Sequence, residues 1–273
     1  MTNDRRTLVL KIGGRALEAG GGAGLEAALA AEIAALAPVV VVHGGGAEVS
    51  AWCDRLSIAP RFLDGLRVTD PETLQVVVAV LAGLANKRLT ARLRSAGLDA
   101  VGLSALDGGT VEAEPHPRAA DLGAVGAVRA VYPALLKTLL GQGRTPVIAS
   151  IGEHEGALLN LNADDLAAAL AGALDTHALV LLSDAPGLVL DGEVVPRLDA
   201  RSLAAALGRP DVQGGMRPKL IAARAALAAG VERVHIAAWS GSGTLDALLG
   251  GEGTGTTITR GAPTPSIAEV SRG

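Results

Sequence analysis

The sequence is poor in cysteine and in aromatic residues. Its 273 residues include one cysteine, one phenylalanine, one tyrosine and two tryptophans. The single cysteine, Cys53, cannot form an internal disulfide, and we interpret it as structural because no activating partner stands near it in the sequence. Because so few aromatic rings are present, the chain has almost no surface on which nucleic-acid bases could stack.

Long apolar runs and clusters of positive charge are also missing from the sequence. Uncharged apolar stretches such as LAAALAGAL at 166–174 are shorter than the roughly 20 residues that cross a bilayer. The first residues, MTNDRRTLVLKIGG, lack the apolar run and cleavage pattern of a signal peptide, so we expect a cytoplasmic location. A net charge of −4 without a Lys/Arg cluster argues against nucleic acid or a membrane as partner, but small anionic molecules remain possible.

Two glycine fingerprints of nucleotide-binding proteins are missing as well. No G-x-x-x-x-G-K-S/T occurs, which argues against a P-loop NTPase. GGGAEV at 44–49 places Val49 where the dinucleotide-binding pattern G-x-G-x-x-G requires its last glycine. Asp64 lies about 20 residues downstream, as the ribose-binding acid of that fold does, but this match alone is weak evidence for a nicotinamide enzyme.

What the sequence does contain is an alternation of short β-rich runs with alanine-rich segments at helical spacing. Hydrophobic residues make up 49% of the chain, and its 36 glycines separate the apolar runs without forming a repeat. This pattern predicts βαβ units, and therefore an α/β protein with an open, mostly parallel central sheet sandwiched by helices. The predicted strands are TLVLKI (7–12), VVVV (39–42), DAVGL (99–103), PVIAS (146–150), ALVLL (178–182) and RVHIA (233–237).

Several segments depart from this alternation. Residues 107–131 mix glycine, valine and charged residues without a helical period, which predicts a β-hairpin outside the main sheet. Residues 187–199, GLVLDGEVVPRLD, contain the Asp-Gly signal of a second hairpin. We interpret Glu153, His154 and Glu155 as a solvated loop, because HEGAL does not match the metal-binding pattern H-E-x-x-H. The last residues, TRGAPTPSIAEVSRG, predict a loose tail.

Lysine and glycine residues mark the ends of the first two predicted strands. KIGG (11–14) ends the first and HGGG (43–46) ends the second. In an open α/β sheet, ligands bind at the carboxyl ends of the strands, where helix N-termini also point. Glycines leave backbone N–H groups accessible there, so the two loops predict a site for an anion, to which Lys11 adds a positive charge. The alternative for Lys11 is an edge lysine whose ammonium group reaches solvent.

Six motifs occur in a fixed order along the chain. They are KIGG (11–14), HGGG (43–46), GLRVTD (65–70), NLNADD (160–165), LLSDAPGL (181–188) and GGMRPKL (214–220). In their order and spacing these motifs resemble the amino acid kinase superfamily, and within it the kinases that act on N-acetylglutamate. The resemblance runs from about residue 7 to about residue 259. One such motif would be weak evidence, whereas six in order are specific.

The resemblance implies an activity and a division of the chain. The activity is ATP-dependent phosphorylation of the γ-carboxylate of N-acetyl-L-glutamate to N-acetyl-L-glutamyl 5-phosphate, in arginine biosynthesis. Residues 1–176 would form a lobe that binds the acylated amino acid and dimerises, and residues 177–262 would form the ATP-binding lobe. Residues 263–273 would be a flexible tail. His177, between a predicted helix and the strand ALVLL, marks the expected boundary.

Carried over motif by motif, the resemblance also implies roles for individual residues. Lys11 and Lys219 would neutralise the phosphoryl group during transfer, and Asp164 would hold both ammonium groups in place. Because a γ-carboxylate with a reference pKa of about 4.3 is already ionised at neutral pH, no general base is expected. The residues implied for substrate binding are Gly45, Gly46, Arg67 and Asn160, and those implied for nucleotide binding are Gly13, Gly14, Asp184, Gly187 and Met216.

The charged residues in this set also have structural alternatives. Arg67 could form a surface ion pair with Asp64 or Asp70. Asp164 could act only through a favourable interaction with the start of a helix. Lys219 also stands at a predicted helix start, which is an unfavourable place for a lysine with respect to the helix dipole and therefore favours a functional role.

The partners implied by the resemblance are small molecules. ATP implies Mg²⁺, held mainly by phosphates and water, and no metal site built from protein ligands is expected. We expect a homodimer insensitive to arginine, because ten residues before Lys11 leave no room for the N-terminal helix that joins dimers in arginine-sensitive members. GEGTGT at 251–256, however, resembles the ending of the sensitive members.

Two other functions remain open at this point. One is an aminoadipate kinase of lysine biosynthesis, whose substrate is linked to a carrier protein; the intact GLRVTD string at 65–70 favours N-acetylglutamate over this acceptor. The other is a non-catalytic nucleotide or amino acid sensor on the same fold. A sensor would not need both Lys11 and Lys219, so their joint presence favours an enzyme.

Overall fold

The computed structural model describes residues 7–13, 24–36 and 38–261 of the chain. All six predicted strands are present in it, and no strand end differs from its predicted position by more than one residue. The strands are β1 (Leu8–Ile12), β2 (Val39–His43), β3 (Phe62–Leu63), β4 (Leu66–Arg67), β5 (Ala100–Ser104), β6 (Val111–Pro115), β7 (Val125–Val131), β8 (Thr145–Ala149), β9 (Ile151–His154), β10 (Ala157–Leu161), β11 (Ala178–Ser183), β12 (Val189–Leu190), β13 (Glu193–Val194), β14 (Arg197–Leu198), β15 (Arg233–Ala238) and β16 (Thr256–Thr259).

The central sheet has eight strands in the order β14-β16-β15-β11-β1-β2-β8-β5. Neighbouring strands are parallel except β15 and β16, which are antiparallel. The prediction of an α/β fold with a mostly parallel sheet is therefore confirmed. Strands β14 and β16 at one edge were not predicted, because each is short and follows a segment of turn-forming residues.

Helices cover both faces of this sheet, which explains why its central strands are continuous apolar runs. Every residue of β1, β2 and β8 is buried. The helices of the described residues are α1 (Gly24–Leu36), α2 (Gly46–Arg55), α3 (Pro71–Ser95), α4 (Ala119–Leu122), α5 (Ala134–Gly141), α6 (Ala163–Ala173), α7 (Ala200–Leu207), α8 (Met216–Ala228) and α9 (Thr244–Gly250).

Alternate residues of β1 pack on opposite faces of the sheet, as the two-residue period of a strand requires. Val9 belongs to the cluster formed with α6 and α8. Leu8, Leu10 and Ile12 belong to the cluster formed with α1, α9 and the end of α3. The next odd-numbered residue, Lys11, therefore faces α6 and α8.

Helix α3 begins as its sequence predicts and changes geometry in its middle. Asp70 caps it by accepting a hydrogen bond of 2.9 Å from the Thr73 N–H, and Pro71 follows in the first turn. Residues Ala79–Ala85 form π-helical turns before the α-helix resumes. Among the described residues, only this 25-residue helix is long and apolar enough by composition to cross a membrane. Part of its apolar surface packs inside the protein, where Val76, Val80, Leu81, Leu89 and Leu93 are buried.

Both predicted hairpins are present. Strands β6 and β7 are antiparallel and belong to a second sheet, β6-β7-β10-β9, and β12 pairs with β13 across a turn at Asp191 and Gly192. The expected loop at 153–155 is wrong in part: Glu153 and His154 end β9, and only Glu155 lies in the turn. Pairing with β10 overrides the weak local strand preference. The predicted tail, 263–273, lies outside the described residues.

His235 is a buried titratable group in the middle of β15. Its side chain is 1% exposed, and its Nδ1 lies 3.1 Å from the Thr257 hydroxyl of β16. Its Nε2 has no hydrogen-bond partner among the described residues. Burial, together with the charges of Arg233 and His177, lowers the pKa of His235 to about 4. The folded protein therefore keeps this imidazole neutral at neutral pH.

The lowered pKa of His235 predicts a loss of stability on acidification. An unfolded chain protonates its imidazole near pH 6.5, whereas the folded protein does so near pH 4. The unfolded state thus binds the proton first, and about 3 kcal/mol of stability is lost as the pH falls through this window. Urea unfolding at several pH values across this window gives the free energy of unfolding at each pH. This free energy should fall less steeply with decreasing pH in His235→Gln than in the unmodified protein. An identical slope would contradict the assignment.

Candidate active site

A cavity of about 220 Å³ lies at the carboxyl ends of β1 and β2. Helices α2 and α6 begin beside it, so the positive ends of two helix dipoles point toward it. Apolar residues such as Val49, Val77 and Leu81 form part of its wall. Among the polar and glycine residues of its lining are Lys11, Gly45, Gly46, Arg67, Asn160 and Asp164.

Lys11, Asp164 and Lys219 meet at one end of this cavity, although they come from distant parts of the sequence. The Lys11 Nζ lies 2.7 Å from one carboxylate oxygen of Asp164, and the Lys219 Nζ donates to the other at 3.0 Å. The three side chains are 8%, 7% and 11% exposed for Lys11, Asp164 and Lys219. The structure thus brings two buried cations to a single buried anion.

The local sequence explains how each of the three arrives there. Lys11 shares the face of β1 that packs against α6 and α8. Asp164 stands in the first turn of α6, where Asn162 accepts hydrogen bonds from the N–H groups of Asp164 and Asp165 at 2.8 and 3.1 Å. Lys219 stands in the first turn of α8, which packs against α6. The packing of these two helices closes the triad.

Burial and mutual charge set the protonation of this triad. Burial lowers the pKa of Lys11, and the nearby Asp164 carboxylate only partly offsets that effect. Burial alone would raise the pKa of Asp164, but the charges of Lys11 and Lys219 outweigh it, so the carboxyl pKa lies below its usual value. Asp164 is therefore an anion at neutral pH. The alternative that it serves only the start of α6 does not account for these two contacts.

Gly44, Gly45 and Gly46 carry the chain from β2 into α2 and line the cavity. A Cβ on Gly45 would lie 2.8 Å from Cδ2 of Leu81, so a larger residue would have to displace that side chain. The first N–H groups of a helix have no intrahelical acceptor. Those of α2 are therefore available to an anion in the cavity.

Arg67 reaches the cavity from β4 and is held on several sides. Its Nη2 donates to the Gly46 carbonyl at 2.8 Å and to the Ser50 hydroxyl at 2.7 Å. Its Cζ lies 4.7 Å from the centre of the Phe62 ring, a cation–π contact. Its Nη1 is buried and has no hydrogen-bond partner among the described residues. The protein thus holds the guanidinium through Nη2 and through the Phe62 ring, while Nη1 remains available to a ligand.

The ion pairs considered as alternatives for Arg67 are not formed. Asp64 pairs instead with Arg118, at 2.6 Å, and Asp70 pairs with Arg61, at 3.2 Å. Arg67 itself is 8% exposed, so it does not belong to a solvated surface pair. A buried guanidinium with an unused donor requires an acceptor from a ligand or from water.

Asn160 lies on β10, where its side chain enters the same cavity. Its Nδ2 donates to the Thr69 hydroxyl at 3.0 Å, and Thr69 donates in turn to the Arg67 carbonyl at 3.0 Å. The amide of Asn160 is therefore connected to the strand that carries Arg67. Ser150 also contributes polar groups to this wall.

Of the residues implied for nucleotide binding, four are described, and none of the four lines this cavity. Gly13 follows β1, and its N–H donates to the Leu182 carbonyl at 2.8 Å. Gly187 has φ 146°, and a Cβ there would lie 2.7 Å from the Thr256 hydroxyl, so close packing alone requires glycine. Asp184 is exposed just after β11, and Met216 begins α8 and packs on the core. Gly14 lies outside the described residues.

Sequence reasoning missed Ser50 and Phe62, the two side chains that hold Arg67. The signal for Phe62 was present: Asp64-Gly65 is a hairpin turn, which places residue 62 opposite residue 67. Ser50 carried no comparable signal, because its contact with Arg67 joins a helix to a separate hairpin.

Three comparisons relate the chain to known proteins. Residues 6–238 match the sequence profile of the Amino acid kinase family. An acetylglutamate kinase of Methanopyrus kandleri is 45% identical over 225 residues, which are 79% of this chain and 89% of that protein. An acetylglutamate kinase of Gloeobacter violaceus is 41% identical over 243 residues, which are 85% of this chain and 79% of that protein.

The fold also matches solved structures. The crystal structure of smu.665 from Streptococcus mutans UA159 is 28% identical in sequence and superposes with a TM-score of 0.79. The match covers 94% of this chain and 100% of that one. The likeness therefore extends over the central sheet and both helical layers.

The buried triad predicts a large effect for one aspartate and a small one for its neighbour. Asp164→Asn leaves two ammonium groups buried without an anion, which should cost about 3–5 kcal/mol of unfolding free energy. Asp165 is the matched control, because it follows Asp164 in the same first turn of α6 but is exposed. Asp165→Asn should change stability by less than about 0.5 kcal/mol at pH 7. Urea unfolding measures both, and equal losses would contradict the role of the triad.

Proposed function

The chain belongs to the amino acid kinase family, and we propose that it transfers the γ-phosphoryl group of ATP to the γ-carboxylate of N-acetyl-L-glutamate, in arginine biosynthesis. The observation that carries this proposal is the convergence of Lys11 and Lys219 on Asp164, beside a glycine-lined cavity that contains a guanidinium. The lysine ammonium groups and the N–H groups of the glycine loop suit an anionic acceptor that meets an anionic phosphoryl donor.

The cavity suits the acceptor in size and in the order of its polar groups. Arg67 would bind the α-carboxylate through its unused Nη1, because a guanidinium forms strong charge-assisted hydrogen bonds with a carboxylate. Asn160 would hydrogen-bond the acetamido group or the carboxylate. Gly45 and Gly46 would donate N–H groups to the γ-carboxylate, and the absence of a Cβ lets the incoming phosphate approach closely.

Lys11 and Lys219 would stabilise the charge on the phosphoryl group as it moves between oxygens. Phosphoryl transfer asks the protein mainly for positioning and for charge stabilisation, and the acceptor carboxylate is ionised without a base. Asp164 would keep both ammonium groups on the same side of the reaction path. Because the triad is already assembled, these charges need little reorganisation during the reaction.

ATP would extend from the lysines over Gly13 and Gly14 toward Asp184, Gly187 and Met216. Both oxygens of Asp164 are occupied by lysines, and the described residues contain no cluster of three or more metal-binding side chains. A Mg²⁺ ion would therefore be held mainly by phosphate oxygens and water, and would supply further charge neutralisation. The proposal needs no dedicated metal site.

The division of the chain and its assembly are part of the same proposal. Residues 1–176 would form the lobe for the acylated amino acid and for dimerisation, residues 177–262 the nucleotide lobe, and 263–273 a flexible tail. The protein would be a cytoplasmic homodimer.

Turnover with purified protein tests the proposed reaction. Incubation with ATP, Mg²⁺ and N-acetyl-L-glutamate should form an acyl phosphate, which hydroxylamine traps as a coloured hydroxamate. Turnover that requires a carrier-protein-linked aminoadipate instead would favour the lysine-pathway alternative. Binding of both ligands without hydroxamate would identify a sensor and refute the proposal.

The role of Lys219 is tested by a substitution with a matched control. Lys219→Ala should reduce kcat by roughly a hundredfold to a thousandfold, because one stabilising charge is lost, while the KM for the acceptor changes little. Lys137→Ala removes an exposed lysine of α5 and should leave both constants unchanged. Steady-state kinetics of the two variants give the answer, and full activity of Lys219→Ala would exclude the assigned role.

Assembly gives a further prediction. Light scattering should show a homodimer. A hexamer would overturn this part of the proposal without affecting the reaction itself.

A further inference from the structure

A polar pair lies behind the glycine loop, outside the cavity. His43, the last residue of β2, and Asn86, on α3, are each 0% exposed. Neither belongs to the cavity lining or to the triad. Burying two polar side chains is costly unless their donors and acceptors find partners.

The contacts of Asn86 determine which way its amide points. The Lys87 ammonium group donates to the Asn86 Oδ1 at 3.1 Å. On the other side, the Asn86 Nδ2 lies 2.9 Å from the Val147 carbonyl and 3.1 Å from the Leu103 carbonyl, which can only accept. The same Nδ2 lies 3.0 Å from the His43 Nε2. The Nδ2 group has two hydrogens for these three neighbours and cannot accept a hydrogen bond itself. A hydrogen on the His43 Nε2 would therefore face a donor, so the Nε2 of His43 is the unprotonated, accepting nitrogen.

The tautomer of His43 follows from this assignment. If Nε2 accepts, the neutral ring carries its hydrogen on Nδ1. The Nδ1 lies 3.0 Å from the Gly44 carbonyl, an acceptor, so the same tautomer satisfies both contacts. Burial also lowers the pKa of His43, which keeps the ring neutral.

We propose that His43 is a positioning residue, which fixes the Gly44–Gly45 peptide so that the Gly45 N–H points into the cavity, and that Asn86 fixes the tautomer His43 needs. In a trans peptide the C=O of one residue and the N–H of the next point in opposite directions. A Gly44 carbonyl held toward His43 therefore turns the Gly45 N–H away from His43. The inference rests on the proposed function, in which this N–H binds the acceptor carboxylate.

The glycine loop needs such a device at its first peptide. The Gly45 carbonyl accepts from the Val49 N–H at 2.9 Å and the Gly46 carbonyl accepts from Arg67 at 2.8 Å, whereas the Gly44 carbonyl is held by His43. Three consecutive glycines can adopt many backbone conformations, so the entropic preference is against any single orientation of their peptides. Leu81 packs against Gly45 from one side, but an apolar contact does not distinguish a C=O from an N–H. A hydrogen bond from His43 does distinguish them.

Two features of the fold make room for the Asn86 side chain. The π-helical segment of α3 ends at Ala85, directly before Asn86, and π-helical turns often occur at functional sites. Strand β5 has glycine at position 102, where a Cβ would collide with the Asn86 Oδ1 and lie 2.5 Å from the Thr90 hydroxyl. Both features leave space for the hydrogen bond between Asn86 of α3 and His43 at the end of β2.

Two substitutions of His43 separate positioning from packing. Asparagine places an amide donor near the position of Nδ1 and can still donate to Gly44, whereas glutamine places its amide near Nε2 and cannot. His43→Gln should raise the KM for N-acetyl-L-glutamate roughly tenfold to a hundredfold, with the KM for ATP unchanged. His43→Asn should change both less than about threefold. If only ring volume mattered, the larger glutamine would be tolerated at least as well, and that outcome overturns the proposal.

A measurement without substrate separates failure of this inference from failure of the proposed function. Nitrogen-15 NMR of histidine-labelled protein should show the hydrogen of His43 on Nδ1, and the Gly45 amide resonance should move in His43→Gln but not in His43→Asn. A ring protonated on Nε2 in the unmodified protein overturns the inference even if both variants fail to fold. Absence of turnover together with the expected spectra would instead refute only the acceptor assignment.

Discussion

The ion triad of Asp164 with Lys11 and Lys219 is the interaction on which the site depends. Two ammonium groups within 2.7 and 3.0 Å of one carboxylate are stable in a buried place only if all three are held together. That requirement connects a central strand to the first turns of two helices that pack on the same face. The positions of β1, α6 and α8 therefore determine where the positive charges of the two lysines lie in the site.

The glycine loop is subject to two constraints. Its cavity side must carry no side chains, and the orientation of its peptides must be set by contacts from the other side. Glycine keeps the cavity side open for an anion, but it leaves the orientation of each peptide undetermined. The buried polar pair behind the loop and the apolar contact with Leu81 supply that constraint from outside the cavity. Site chemistry and core packing are thus joined at the end of β2.

Much of the fold could be predicted because its signals are local. Apolar runs and glycine punctuation place the six main strands and both hairpins close to their observed bounds. Glu153 and His154 were wrongly assigned to a loop, and β16 was missed, because strand pairing decided those segments. Ser50 and Phe62 were missed because their role is to contact the Arg67 guanidinium, and those contacts are seen only in the folded protein.

The sequence by itself determined the fold class, the glycine loops at the strand ends and the identity of the charged residues, since these depend on residue type and spacing along the chain. Only the tertiary structure decided that Arg67 keeps a free donor while Asp64 and Asp70 pair elsewhere. It also decided that His43 hydrogen-bonds Asn86. Such choices depend on burial and on distances between residues far apart in the chain, which no local pattern encodes.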